Sequence, residues 1–309
     1  MIRLSNGHEL RYVVASGALA FDGEGWIHER PLVALGLIRP ELFTVVLKTV
    51  TWNPREGNLR WWKPWECVRP IPGGAVNKVG LTNIGFEKFL SDVVPDLKFG
   101  KYNLVASLMG TPEQVCEMIS DLNAYPFVAY ELNPSCPNTG SGMPTSEAVI
   151  ANVKRAHSVS NRPLLLKVSV AQDYLTIAEG VKKYAEAIDL NSVPWEMVFP
   201  DEATPLATLE RRVKGGGGGV SGKPAQQKNW QAVNDLYRQG ALPVIGPSIM
   251  EYEDLRQLDR LGSGAYSFGC IHLPSYPVWL KPWTVFTNPC KPTRIVRRHM
   301  DEHDLFGLS

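Results

Sequence analysis

Phe127-Val128-Ala129-Tyr130-Glu131-Leu132-Asn133-Pro134-Ser135-Cys136-Pro137-Asn138 runs from an apolar segment straight into a polar turn. Phe127 to Leu132 has the length and composition of a buried strand. Pro134 and Pro137 then stiffen the chain and remove two backbone donors. Asn133 and Asn138 each offer amide donors and an acceptor, so together they can hold a flat polar ring from two sides. Cys136 between them carries the side chain best suited to act as a base or nucleophile near neutral pH. A buried structural cysteine is the plainer reading of a single thiol. Flanking asparagines at a strand end favour chemistry instead.

Working outward, seven more runs share the strand character: Tyr12–Ser16, Phe43–Lys48, Asn103–Ser107, Leu164–Val168, Ile188–Asn191, Pro243–Gly246 and Tyr266–Gly269. Amphipathic stretches fall between them, at Pro112–Leu122, Glu147–Ser158, Tyr174–Ala187, Gln226–Arg238 and Glu251–Leu261. Near-continuous apolar strands alternating with helices describe a parallel sheet covered on both faces. Eight of them predict a single (β/α)8 TIM barrel over residues 1–309. An open doubly wound sheet is the alternative, but no Gly-x-Gly-x-x-Gly follows the first strand. A long insertion follows the second strand, from Thr49 to Tyr102, with Trp52, Trp61, Trp62 and Trp65 among its residues. Such loops are commonly lids or binding loops. These tryptophans suit covering a flat ligand, burying a subunit contact, or packing the insert on the barrel rim.

Bulk properties narrow the function. Hydrophobic residues make up 44% and charged residues 20% of the 309 residues, an ordinary globular composition. A net charge of +1 gives no general attraction to nucleic acid or an anionic membrane. Met1 to His8 contains no apolar core of a signal peptide, and no apolar run approaches the ~18 residues of a membrane span. Cys67, Cys116, Cys136, Cys270 and Cys290 are odd in number and scattered. They suit a reducing cytoplasm rather than a disulfide framework or a zinc site, and no metal is expected.

In a barrel the C-terminal strand ends converge on one face, where chemistry sits. The first strand ends in Ala15-Ser16-Gly17, small residues that allow close approach to a flat ring. Lys48 ends the second, Asn133 and Cys136 follow the fourth, Lys167 lies near the end of the fifth, and Asn191-Ser192 follow the sixth. One lysine at a strand end is commonly a solvated tip. Two lysines and three asparagines, Asn138 of the same loop included, converging with a thiol point to a site.

The Glu131–Asn138 segment resembles the active-site loop of class 1 dihydroorotate dehydrogenases, Glu-Leu-Asn-x-Ser-Cys-Pro-Asn. Lys48-Thr49-Val50-Thr51 with Pro54-Arg55-Glu56-Gly57-Asn58 is similar to the family's Lys-x-x-Thr…Pro-Arg-x-Gly-Asn. Asn77 to Gly85 resembles its Asn-x-x-Gly-Leu-x-Asn-x-Gly substrate loop, and Gly218 to Gly222 its Gly-Gly-x-Ser-Gly phosphate turn. The resemblance runs in family order from Tyr12 to Gly269. It implies FMN across the barrel mouth, with Ala15, Ser16 and Gly17 against the ring, Thr49 beside it and Lys167 at its pyrimidine edge. Lys48 would reach toward flavin and substrate. Asn77, Gly80, Leu81, Asn133, Asn138, Asn191 and Ser192 would hold dihydroorotate. Gly219, Ser221, Gly222, Gly246, Ser248, Gly269 and Cys270 would hold the phosphate end of the cofactor. Cys136 would remove the C5 proton while a hydride passes from C6 to flavin N5, giving orotate for pyrimidine biosynthesis. The class 1 pattern also implies a soluble enzyme, working as a homodimer or beside an iron–sulphur flavoprotein partner.

Two segments depart from that pattern. Ile245-Gly246-Pro247-Ser248-Ile249-Met250 stands where the family has Gly-x-Gly-Gly-Ile, and Gly269-Cys270-Ile271 where it has Gly-Thr-Ala. Pro247 has no backbone N–H to offer a phosphate. His272 to Pro292 is unlike the family's last helix. Two other functions suit these departures, a relative acting on another cyclic amide and a barrel that has lost flavin and serves as a binding subunit. Asn138 speaks against the pyrimidine-catabolic relatives, which carry histidine there. Gly217 to Pro224 nearly spells a P-loop, but Pro224 replaces the hydroxyl that would bind magnesium. His299-Met300-Asp301-Glu302-His303 has zinc-ligand spacing, yet reads as a solvated tail beside the basic Arg294, Arg297 and Arg298.

Overall fold

The computed structural model describes residues 1–60, 63–134, 143–206, 217–273 and 289–303. Among them, eight parallel strands close on themselves: Tyr12–Val14, Thr44–Val46, Asn103–Met109, Ala129–Leu132, Leu164–Val168, Ala187–Leu190, Val244–Gly246 and Ala265–Phe268. Each pairs with the next, and the eighth returns to the first, with Tyr266 opposite Tyr12 and Phe268 opposite Val14. This is the (β/α)8 barrel expected from the alternating runs. Ser16, Lys48, Asn191 and Gly269 lie just past the paired segments, at the C-terminal mouth.

Strand geometry sends successive side chains to opposite faces. One residue from each strand, Val13, Val46, Val105, Ala129, Leu165, Ala187, Ile245 and Ala265, enters a buried cluster inside the barrel. Ile2, Leu4 and Leu10 join it from the hairpin formed by Ile2–Arg3 and Glu9–Leu10, which stops the N-terminal end. The alternate residues, such as Val14, Leu104, Tyr130, Leu166 and Phe268, face the outer core beneath the helices.

Helix Pro112–Leu122 illustrates how that outer layer forms. Thr111 and Gln114 make a reciprocal capping box, and Pro112 occupies the first turn. Val115, Met118, Ile119 and Leu122 then recur on one buried face. Full burial of each such side chain is worth about 1.5–3 kcal/mol, against about 1 kcal/mol for the cap, so packing dominates. Helix Tyr174–Val181 ends before the expected Ala187, because Ala187 is needed as a strand residue opposite Leu165.

The insertion is anchored by Trp52, which stacks on Phe86 at 5.9 Å and 18°. Trp52 thus packs the insert, Trp65 is exposed, and Trp61 and Trp62 fall outside the described residues. Val68–Ile71 and Gly74–Asn77 form a hairpin, and Gly74–Asn77 pairs antiparallel with Gly219–Gly222. Val193–Pro194 completes a four-stranded sheet at the mouth. The expected turn at Gly218–Gly222 is therefore corrected. Its last four residues are a strand whose backbone enters a ladder, leaving fewer free amides for a phosphate.

A second correction concerns His299, expected on a solvated tail. Helix Lys291–Glu302 packs its inner face on the barrel, and His299 is buried with Nδ1 2.7 Å from the Tyr12 hydroxyl. Ile295 and Val296 share that face. No group of three or more possible metal ligands occurs among the described residues. No described helix is long and apolar enough to cross a membrane.

Glu29 and His272 form a fully buried pair behind the mouth, with Oε1 and Nδ1 3.8 Å apart. Burial pushes Glu29 up to about 8 and His272 down to about 4. Above pH 4.5 the unfolded chain releases the Glu29 proton while the folded protein keeps it, so stability declines until pH 8. His272 acts in the acid window. Below pH 6.5 the unfolded chain gains a proton that the folded protein refuses down to about pH 4. Between pH 6.5 and 8, Glu29 alone of the pair contributes. Glu29→Gln is expected to abolish a decline of about 2 kcal/mol across that window. Urea unfolding of both proteins at the two pH values checks this; equal declines refute it.

Candidate active site at the barrel mouth

Two residues beyond the apolar layer, the alternation brings a second inward position from each strand. On five of the eight strands that position is polar and buried: Ser107 after Val105, Glu131 after Ala129, Lys167 after Leu165, Asp189 after Ala187 and Ser267 after Ala265. Lys167 sits in register with Asp189, and Ser107 with Glu131. Lys167 Nζ lies 3.0 Å from Glu131 Oε2 and 3.1 Å from Asp189 Oδ2. All three side chains are at least 94% buried. Burial opposes the charge on Lys167, but Asp189 and Glu131 outweigh it and raise its pKa. Glu131 is raised by burial, with Lys167 opposing and Asp189 adding to the rise. The lysine therefore stays protonated, and Glu131 is held above the usual carboxylate range.

A hydrogen-bonded chain leads from this triad to the strand ends. Ser107 Oγ donates to Glu131 Oε1 at 2.8 Å, and Thr49 Oγ1 lies 2.8 Å from Ser107 Oγ. Ser16 Oγ is 2.9 Å from Thr49 Oγ1 and donates to the Leu47 carbonyl. Asn133 Nδ2 donates to Thr49 Oγ1 at 3.1 Å, and Asn191 Nδ2 donates to Asn133 Oδ1 at 3.1 Å. Ser16, Thr49, Asn133, Asn191 and Lys167, drawn from five parts of the chain, thus share one network. Beside it, a Cβ on Gly17 would stand 3.6 Å from Lys48 Cγ, and one on Gly269 would stand 3.4 Å from the Ala15 methyl.

Asn77, Ser192 and Gly219 meet in the sheet at the mouth. Asn77 Nδ2 donates to the Gly219 carbonyl at 3.3 Å, and a Cβ on Gly219 would fall 2.1 Å from Ser192 Oγ. Only glycine lets these strands approach so closely. Gly80 and Leu81 are buried in the following loop, where the Leu81 carbonyl accepts from Asn83 Nδ2. Cys136 and Asn138 lie outside the described residues.

At the other side of the mouth, Ser248 has a left-handed backbone with φ 66°. Its hydroxyl accepts from Asn229 Nδ2, and the Pro247 carbonyl accepts from Trp230 Nε1. Cys270 Sγ touches Met250 Sδ at 3.6 Å, and a Cβ on Gly222 would come within 3.1 Å of Cys270 Sγ. Ser221 and Gly222 end the strand that leads into helix Lys223–Gln239. Gly246 has a packing duty, since a Cβ there would meet Ser263 Oγ at 2.5 Å and Leu258 at 2.7 Å. Burial raises all four described thiols, Cys67 to about 11 and Cys270 to about 12, so none is an activated thiolate.

Asp189, Ser107 and Glu131 are not among the site residues expected from the sequence. Their signal was the repeat of a small or apolar residue followed two places later by a polar one: Val-x-Ser, Ala-x-Glu, Leu-x-Lys, Ala-x-Asp, Ala-x-Ser.

Comparison with known proteins matches residues 32–265 to the family described as dihydroorotate dehydrogenase. A catalytic subunit of dihydroorotate dehydrogenase B (NAD(+)) from Desulforudis audaxviator is 31% identical over 84% of this chain and 82% of its own. Proteins of the same name from Endomicrobium trichonymphae and Brachyspira hyodysenteriae are 29% and 24% identical. They cover 75% and 83% of this chain, and 74% and 80% of their own lengths. With the matched region spanning most of the barrel, the chain belongs to the dihydroorotate dehydrogenase family.

Proposed function

We propose that this protein oxidises dihydroorotate to orotate in pyrimidine biosynthesis, using FMN held across the barrel mouth. The observation that carries this reading is the convergence of Ser16, Thr49, Asn133, Asn191 and Lys167 in one network at the strand ends. Their hydroxyls, amides and ammonium suit a flat ring with both donors and acceptors on its edge. Ala15, Gly17 and Gly269 supply a small-residue floor, so the donor set and the shape fit the cofactor. FMN supplies a two-electron acceptor for the hydride that leaves C6.

The chain's own groups do the rest. Lys167 presents a permanently protonated ammonium to the pyrimidine edge. Lys48, beside Gly17, reaches toward ring and substrate. Asn77, Asn133, Asn138 and Asn191 with Ser192, Gly80 and Leu81 orient the dihydropyrimidine and its carboxylate. Cys136 takes the C5 proton. Gly219, Ser221, Gly222, Ser248 and Cys270 surround the phosphate end, where Ser248 offers a hydroxyl in place of the donor that Pro247 lacks. Scattered, protonated thiols suit a cytoplasmic protein, acting as a homodimer or beside an iron–sulphur flavoprotein.

The test is the visible spectrum of the purified protein, supplied with FMN. A yellow flavin spectrum that dihydroorotate bleaches anaerobically is expected. A protein that takes up no FMN, or whose flavin stays oxidised with dihydroorotate, refutes the reading. Adding fumarate, or NAD+ with the iron–sulphur partner, then identifies the electron acceptor.

A further inference from the structure

The geometry points to Asp189 as a positioning residue that, with Glu131, fixes Lys167 and cancels much of its charge toward the cofactor, holding the flavin at a lower reduction potential. This rests on the flavin reading above. An ammonium has three donors, and here two are committed to carboxylate oxygens at 3.0 and 3.1 Å. The third has no partner among the described residues. The carboxylates come from the strands on either side of Lys167, so the clamp is symmetric about the lysine and set by strand register.

Charge decides the sign. With all three groups ionised the triad carries a net −1, and with a proton on Glu131 it is neutral. In neither state does it present the net cation that a lone lysine would. Each carboxylate side chain is only 2% exposed, so water and salt screen this balance weakly. Reduced flavin carries more negative charge than oxidised flavin, and a compensated lysine favours it less.

Asp189 is the cleaner group to change. Glu131 is also bonded to Ser107, whereas the other bond of the Asp189 carboxylate is from the Leu190 amide to Oδ1 at 2.8 Å. Asparagine keeps the volume and one acceptor oxygen, for either the Leu190 amide or Lys167, while removing the charge.

Asp189→Asn is expected to raise the reduced-to-oxidised ratio of bound flavin about ten-fold at a fixed electrode potential. For a two-electron couple that is a shift of about +30 mV. Asp189→Glu, which keeps the charge, should stay closer to the parent than Asp189→Asn. Spectroelectrochemical titration of the FMN-loaded proteins reads both, and a role confined to folding would not move the potential. If the asparagine variant does not fold, Asp189→Ser removes the same charge and is titrated instead. Bound flavin at an unchanged or lower potential in the uncharged variant overturns the inference and leaves the flavin reading standing. A parent protein that takes up no FMN overturns both.

Discussion

Cys136→Ala is expected to slow reduction of bound flavin by dihydroorotate by about 10²–10⁴-fold, the usual worth of a positioned general base. The reaction removes a hydride from C6 and a proton from C5, and in the proposed mechanism Cys136 is the group that accepts the proton. Cys136 follows Asn133 by three residues, and Asn133 is buried at the fourth strand's end inside the network that includes Thr49 and Asn191. The four described cysteines are all held protonated by burial, which leaves none of them suited to the task. Cys136→Ser should fall between and improve as pH rises, because a hydroxyl is harder to deprotonate than a thiol. Anaerobic stopped-flow measurement of flavin bleaching gives the rates, with the flavin spectrum confirming an intact cofactor site. Near-parental rates for the alanine variant at pH 7 would remove Cys136 from the mechanism.

Lys167→Met should destabilise the fold by about 3–5 kcal/mol at neutral pH, the cost of leaving a buried charge without its partner. Glu131 and Asp189 would then face each other across the space left by the ammonium, both with side chains only 2% exposed. The loss should shrink as the pH falls, because protonating either carboxyl removes the repulsion. Adding Glu131→Gln and Asp189→Asn to Lys167→Met should recover much of the stability, since an uncharged set has no orphaned charge to bury. Urea unfolding of parent, single and triple variants decides it. A single variant within 1 kcal/mol of the parent, or a triple variant no better than the single, would mean that the triad is not a coupled unit.

The barrel was legible because its strands are buried on both faces and read as short apolar runs, a local property. The polar strand ends at Ser16, Lys48, Asn133 and Asn191 were legible for the same reason, since each interrupts such a run. The partners of Lys167 were not. Recognising Asp189 requires knowing which of two alternating faces points inward, and that choice is made only when strands five and six pair. Gly218–Gly222 misled because its strand partner, Gly74–Asn77, lies more than 140 residues earlier. His299 misled because its charged neighbours describe the outer face of the helix, while its own face meets Tyr12.

That contact between Tyr12 and His299, 287 residues apart, has a bearing on synthesis. A ribosome must release the eighth strand before the first finds its second neighbour, and most of the last helix before the phenol of Tyr12 is capped. Until then the nascent chain is a growing open sheet with an unpaired edge at Tyr12–Val14. Such an edge invites pairing with another chain, and closure at this sequence separation is slow. Shortening the chain before residue 291 would leave that seam without its latch, so yield in the cell should depend on chaperone supply more for such a product than for the full chain.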